Sequence, residues 1–246
     1  MCVIAYKPAG VKMPTKKQFR AMFENNPDGA GFMYADSGRV YIRKGFMEYN
    51  EFRKAVKPFI GRIDIPMVFH FRIATHGGVN AGMCQPFPLS KRDKSLKALT
   101  TNSDIGIAHN GIIPMTMDAR AISDTALFIK RYATRILSDG VDDIALDIIE
   151  NCIDSKMCIL EKNGKAHILG RGWSTNNGVW YSNDSYKTRY YKKSYSPKTY
   201  TSVYNYDYGF NSLGAYCDTS CDICINRKYC FDEYDDTTLT AREFEL

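Results

Sequence analysis

No run of about 18 apolar residues occurs in this 246-residue chain, which excludes a membrane-spanning helix. The opening segment, Met1-Cys2-Val3-Ile4-Ala5-Tyr6-Lys7-Pro8, sets a charge and a proline where a secretory signal would have its apolar core. The expectation is a cytoplasmic protein whose thiols stay reduced. No internal repeat is evident. A large excess of one charge is also missing: 33 basic against 27 acidic residues leave a net +6, which selects no class of partner by itself. With 44% hydrophobic and 24% charged residues, global disorder, a collagen-like repeat and a coiled coil are excluded. The length suits one large domain, or one domain with a small appendage.

Hydrophobic spacing organises the chain up to about Asp184. Residues 2–6 form a short strand pattern. Residues 15–25 have helical spacing, with Phe19, Met22 and Phe23 on one side, and Asn26-Pro27-Asp28-Gly29 ends that helix. Residues 30–35 and 39–43 read as a hairpin around Asp36-Ser37-Gly38, and residues 49–59 as a helix. Residues 67–74 alternate: Met67, Phe69, Phe71 and Ile73 share one face, Val68, His70, Arg72 and Ala74 the other. Residues 104–110 form another strand, with Ile105 and Ile107 opposite Gly106, Ala108 and Asn110. Ser123 suits the N-cap of a helix reaching residue 137, and a second helix covers 141–152. Residues 157–170 read as a hairpin turning at Asn163-Gly164, and 178–182 as a further strand. Many strands with paired helices fit an α+β layered domain better than alternating βαβ units.

Composition shifts beyond residue 184. Tyr186, Tyr190, Tyr191, Tyr195 and Tyr200 are mixed with Lys, Ser and Thr while aliphatics almost vanish, so 185–212 reads as a Tyr/Lys-rich linker. Residues 213–246 form a Cys-rich tail with an acidic end. Three segments are therefore expected: a domain over 2–184, the linker, and the tail.

The chemistry begins at Cys2. Removal of Met1, which aminopeptidases carry out before small residues, would leave a thiol and an α-amine on one residue. An α-amine has a pKa of about 7.7–8.0, so near neutrality it can accept the thiol proton: a nucleophile with a built-in base. Three further segments accompany it: His70-Phe71-Arg72-Ile73-Ala74-Thr75-His76-Gly77, Ala108-His109-Asn110-Gly111-Ile112-Ile113, and Ser123-Asp124-Thr125. Each alone has an ordinary reading, as a solvent-facing strand arginine, a turn, and a first-turn helix acid. Together with Cys2 they resemble the glutaminase domain of class II glutamine amidotransferases, which are N-terminal-nucleophile hydrolases. That family's pattern runs N-terminal Cys, Arg-x-Ala-Thr-His-Gly, His-Asn-Gly and Ser-Asp-Thr. Asn26-Pro27-Asp28-Gly29-Ala30-Gly31 also looks like its early Pro-Asp-Gly turn, and Trp180-Tyr181-Ser182-Asn183-Asp184 like its late strand. The chain departs from the pattern with Val3 for Gly, Ile73 for the Trp of sugar-specific members, and Gln85 for a His.

The resemblance implies a four-layer αββα sandwich of the N-terminal-nucleophile hydrolase type, with the Cys-rich appendage behind it. It implies hydrolysis of L-glutamine to glutamate and ammonia through a Cys2 thioester, with no cofactor for that chemistry. Asn110, by its side-chain amide, and Gly111, by its backbone N–H, would hold the oxyanion. Arg72 would grip the substrate α-carboxylate and Asp124 the α-ammonium, with Thr75 and His76 lining the pocket. His76 and His109 read as pocket walls rather than acid–base catalysts. The segment beyond Asp184 is too short for an independent synthase and carries no phosphate loop or nucleotide fingerprint. The chain would therefore either pass its ammonia to a separate synthase subunit or act as a hydrolase alone. Two alternatives stand beside this one: hydrolysis of another amide, γ-glutamyl or N-acyl, and a non-enzymatic protein that binds nucleic acid or a partner through its C-terminal segment.

Cys217, Cys221, Cys224 and Cys230 place four thiols within a short segment. In a reducing compartment this spacing reads as a structural zinc site. An iron–sulfur cluster is the weaker rival, and unligated thiols or disulfides are the remaining reading. Cys84, Cys152 and Cys158 read as structural.

Overall fold

The computed structural model describes residues 1–74, 78–114 and 122–188. In chain order they form β1 (Val3–Lys7), α1 (Lys16–Asn25), β2 (Ala30–Asp36), β3 (Arg39–Phe46), α2 (Tyr49–Val56), β4 (Met67–Phe71), β5 (Phe87–Pro88), α3 (Asp93–Lys97), β6 (Thr100–Ser103) and β7 (Ile105–Asn110). Then follow α4 (Asp124–Phe128), a π-turn (Ile129–Ala133), α5 (Thr134–Ile136), α6 (Asp143–Ile153), β8 (Lys156–Glu161), β9 (Ala166–Leu169), β10 (Ser174–Asn176) and β11 (Val179–Tyr181). This is a mixed α+β fold with two antiparallel sheets. One has seven strands in the order β10-β11-β1-β4-β2-β3-β6, the other four in the order β5-β7-β8-β9. Among the described residues no helix is long and apolar enough to cross a membrane.

Local chemistry sets the element ends. Thr15 caps α1 with a reciprocal box: its hydroxyl accepts from the Gln18 N–H while the Gln18 side chain accepts from the Thr15 N–H. Ser123 caps α4 by accepting from the Ala126 N–H, as its position predicts, and Asp142 does the same for α6. The helix expected over 123–137 is continuous but passes through the π-turn in its middle.

Three apolar clusters show what each face buries. Phe19, Met22 and Phe23 of α1 and Phe52 of α2 pack on Val3, Phe32, Phe69 and Phe71 of the seven-stranded sheet. The opposite face of that sheet, through Ile4, Met33, Ile42 and Val68, meets Ala108, Cys158 and Leu160 of the four-stranded sheet. Ile107 and Ile159, on the far face of the smaller sheet, pack on Leu127, Phe128, Ile149 and Ile153. The faces expected hold for Met67–Phe71 and Ile105–Asn110, but the strand expected to reach residue 74 ends at Phe71. Tyr186 stacks on Tyr181 at 3.8 Å between centroids, so the packed domain continues past Asp184. Cys84 and Cys158 are buried, whereas Cys152 lies exposed on α6, so its expected structural role does not hold. The Cys-rich tail and nearly all of the linker fall outside the described residues.

Gly31 in β2 shows how closely the segment before β5 approaches the sheet. A Cβ there would sit 2.3 Å from the Gln85 carbonyl oxygen and 2.6 Å from the Lys44 Cβ. Gly31→Ala should therefore destabilise the fold by about 1–3 kcal/mol through overpacking. A urea unfolding midpoint unchanged from wild type would contradict this close approach.

Candidate active site

Strand parity decides which residues converge. Cys2, at the mouth of β1, continues the set that includes Ile4 and so belongs to the face turned toward the smaller sheet. The β1–β4 register pairs Val3 with Phe71 and Ile4 with His70, which brings Cys2 opposite Arg72, next to the Ile73 backbone. The Cys2 Sγ accepts from the Ile73 N–H at 3.3 Å and lies 3.4 Å from the Ile73 carbonyl oxygen. Both contacts are to backbone, so the identity of residue 73 does not enter them. Val3 points to the helix-side core, away from the sulfur.

The Pro27-Asp28-Gly29 turn fixes the arginine. Arg72 N–H donates to the Gly29 carbonyl at 2.8 Å, Asp28 N–H to the Arg72 carbonyl at 3.0 Å, and Ala74 N–H to the Asp28 carboxylate at 2.8 Å. Arg72 is only 3% exposed, a planar guanidinium held inside the protein at the end of β4. Its positive charge helps to restrain the Cys2 thiol pKa, although burial dominates and raises it.

The other sheet delivers Asn110 and Gly111 from the end of β7. Asn110 Nδ2 donates to Ser182 Oγ at 2.9 Å, and the same oxygen accepts from the Ile4 N–H at 2.8 Å. One hydroxyl thus ties the oxyanion candidate to the strand that starts at the nucleophile. Asn183 Nδ2 donates to the Cys2 carbonyl at 2.7 Å, completing the tie. Asn110 Oδ1 is buried and finds no partner among the described residues. Gly111 has φ +154°, and a Cβ on it would lie 2.4 Å from the Ser155 Cβ, so only glycine fits here. Asp124, at the start of α4 and 6% exposed, accepts from the Ile113 N–H at 2.9 Å and the Thr125 N–H at 2.8 Å. The helix carrying the acid is thereby tied to the segment that follows Gly111.

Cys2, Arg72 and Asn110, with Gly111 next to it, therefore gather at one end of the inter-sheet layer, and Asp124 is tied to the segment after Gly111 from the α4 side. The same layer is apolar farther along, where Met33, Val40, Ala108 and Leu160 meet. Thr75, His76 and the four tail cysteines lie outside the described residues. Among the described residues no group of three or more His, Cys, Asp or Glu side chains could hold a metal ion. A cleft of about 600 Å³ lined by Ser90, Arg92, Asp104, Ser138 and Lys162 shares no residue with this site, and its polar side chains are exposed or half-buried, the Lys162 ammonium resting on Asp104.

The sequence reading passed over several supporting residues. Ser182 and Asn183 sit in the late-strand motif, which was the signal for them. Lys44 gave none beyond its place after Val40 and Ile42 on the inter-sheet face. Its ammonium donates to the Gly82 carbonyl at 3.0 Å and to the Leu96 carbonyl, and lies 3.9 Å from the Phe87 ring centre. Burial brings its pKa down to about 7. His109 is buried and links neighbouring elements: Nδ1 lies 3.0 Å from Thr125 Oγ1 and Nε2 2.6 Å from Ser155 Oγ. Compared with family models and with curated proteins, the chain matches none.

Burial holds two imidazoles neutral, His70 with a pKa of about 3 and His109 of about 4. The unfolded chain takes up these protons near pH 6.5 and the folded chain does not, so stability is full above that pH and falls as pH drops toward 4. From pH 7 to pH 5 the unfolding free energy should fall by on the order of 2–4 kcal/mol. A flat profile of urea-determined stability across that interval would contradict the burial of two neutral histidines.

Proposed function

We propose that this chain is an amidohydrolase of the class II glutamine amidotransferase type, with a four-layer αββα sandwich of the N-terminal-nucleophile kind. It hydrolyses L-glutamine to glutamate and ammonia. The observation that carries the reading is that Cys2, Arg72 and Asn110, far apart in sequence, gather at one end of the inter-sheet layer, with Asp124 tied to the segment after Gly111. The buried guanidinium and the carboxylate are the complements of the two ends of a free amino acid. Amide hydrolysis needs a nucleophile beside them and donors for the developing oxyanion, and these are Cys2 and the pair Asn110 and Gly111.

The chemistry then runs in two steps. Burial raises the thiol pKa, so Cys2 needs a proton acceptor. While Met1 is attached, the Cys2 nitrogen is an amide and cannot serve. Met1 is 79% exposed, within reach of processing. With Met1 removed, the new α-amine takes the thiol proton as sulfur attacks the substrate carboxamide carbon. Collapse of the tetrahedral intermediate expels ammonia, the amine returning the proton to the leaving nitrogen. Water, deprotonated by the same amine, attacks the thioester carbon; collapse expels the Cys2 sulfur, which takes the proton back from the amine, and glutamate is released. Thr75 and His76 line the substrate pocket in this reading. The reaction takes place in the cytoplasm without a cofactor, and the ammonia passes to a separate synthase subunit. Zinc on Cys217, Cys221, Cys224 and Cys230 would organise the tail.

Protein lacking Met1 should release ammonia and glutamate from glutamine, and Cys2→Ala should reduce this to background. Arg72→Lys, which keeps the charge but loses the fork, should raise KM for glutamine by about 10- to 100-fold with a smaller effect on kcat. Turnover surviving in Cys2→Ala would end the assignment, and preferential cleavage of γ-glutamyl or N-acyl amides in the same assay would redirect it to another amide.

A further inference from the structure

Gln85 touches the neighbour of each of two substrate-binding residues. Its Oε1 accepts from the His109 N–H at 2.7 Å, one residue before Asn110. Its Nε2 donates to Thr125 Oγ1 at 3.4 Å, one residue after Asp124. Gln85 is 6% exposed, and Gly31 leaves room for its backbone carbonyl against β2. We propose that Gln85 is a positioning residue that holds the oxyanion strand and the ammonium-binding helix in register. The inference rests on the glutaminase reading and adds a residue to it.

Proton positions make the amide specific. The Ser155 hydroxyl donates to the Ile153 carbonyl at 2.8 Å, so its oxygen accepts from His109 Nε2–H. A neutral imidazole then has a bare Nδ1, which takes the Thr125 hydroxyl proton. That leaves the Thr125 oxygen to accept from Gln85 Nε2–H. Each contact in the series Gln85–Thr125–His109–Ser155–Ile153 then has one donor and one acceptor. Thr125 Oγ1 is also 3.4 Å from Asp124 Oδ1, the competing acceptor for its proton. The Gln85 donor steers Thr125 toward His109 and leaves Asp124 to its two backbone donors and the substrate ammonium. The two halves of the amide therefore do different work: the oxygen secures β7 and with it Asn110 and Gly111, while the nitrogen secures Thr125 and with it Asp124.

Separate variants resolve the halves. Steady-state kinetics on protein lacking Met1 should show Gln85→Glu, which keeps the acceptor and loses the donor, raising KM for glutamine by about tenfold with kcat within about threefold. Gln85→Leu, lacking both, should also lower kcat by about tenfold or more. Gln85→His, with one acceptor and one donor nitrogen, should recover most of kcat/KM. Iodoacetamide has neither amino-acid end, so its rate of alkylating Cys2, followed on the Cys2 peptide because Cys152 is exposed, should stay within about threefold of wild type in Gln85→Glu. A general loosening of the fold would instead move alkylation, kcat and KM together. Wild-type kinetics in Gln85→Leu, or equal effects of Glu and Leu on kcat, would overturn the positioning role while leaving the glutaminase reading intact. A wild-type protein inert toward glutamine would overturn both.

Discussion

The antiparallel pairing of β1 with β4 is the constraint on which the site depends. It places the start of the chain in the interior of a seven-stranded sheet, with Val3 against Phe71 and Ile4 against His70. Edge strands fray easily, but a strand with neighbours on both sides is held by two ladders. Here β11 supplies the second, pairing Ala5 with Tyr181. The sulfur of Cys2 is therefore fixed against the Ile73 backbone although it lies one residue from the terminus of the described chain.

A second sheet turns this fixed sulfur into a site. The layer between the sheets is apolar along most of its length and changes at one end to Cys2, His70, Arg72, Asn110 and Ser182. Charges and amides in such a position are costly unless paired. Ser182, Asn183, Asp28, Gln85, Thr125 and Ser155 supply the hydrogen bonds that make the arrangement stable. They also tie the segments bearing Arg72, Asn110 and Asp124 to neighbouring segments. Asn110 is held in this arrangement by the Ser182 hydroxyl, which also accepts from the Ile4 N–H.

Much of this was legible in the sequence because strand alternation is a simple code. The faces of residues 67–71 and 105–110, the hairpin at Ser37-Gly38, and the Ser123 cap all followed from spacing and side-chain chemistry. β5, α3, β6 and β10 were not legible. They are two to five residues long, and β6 reads Thr-Thr-Asn-Ser, so tertiary pairing rather than pattern creates them. The candidate catalytic residues were visible as motifs, whereas their supports were not. Gln85 showed only as a departure from a family pattern, and its meaning emerged once both ends of its amide had partners. His109 illustrates the same limit: its identity was plain, but its buried place between Thr125 and Ser155 required the meeting of β7, α4 and the α6–β8 connection.

The central claim is that the Cys2 sulfur, with Met1 removed, attacks a carboxamide whose amino-acid ends are held by Arg72 and Asp124. Peptide mapping after exposure to an electrophilic glutamine analogue, with and without excess L-glutamine, tests it most directly. The account expects one adduct, on the N-terminal Cys2 peptide, suppressed by glutamine and absent when Arg72 is replaced by Leu. Modification of exposed Cys152 in preference to Cys2, or labelling of Cys2 indifferent to glutamine, would contradict it.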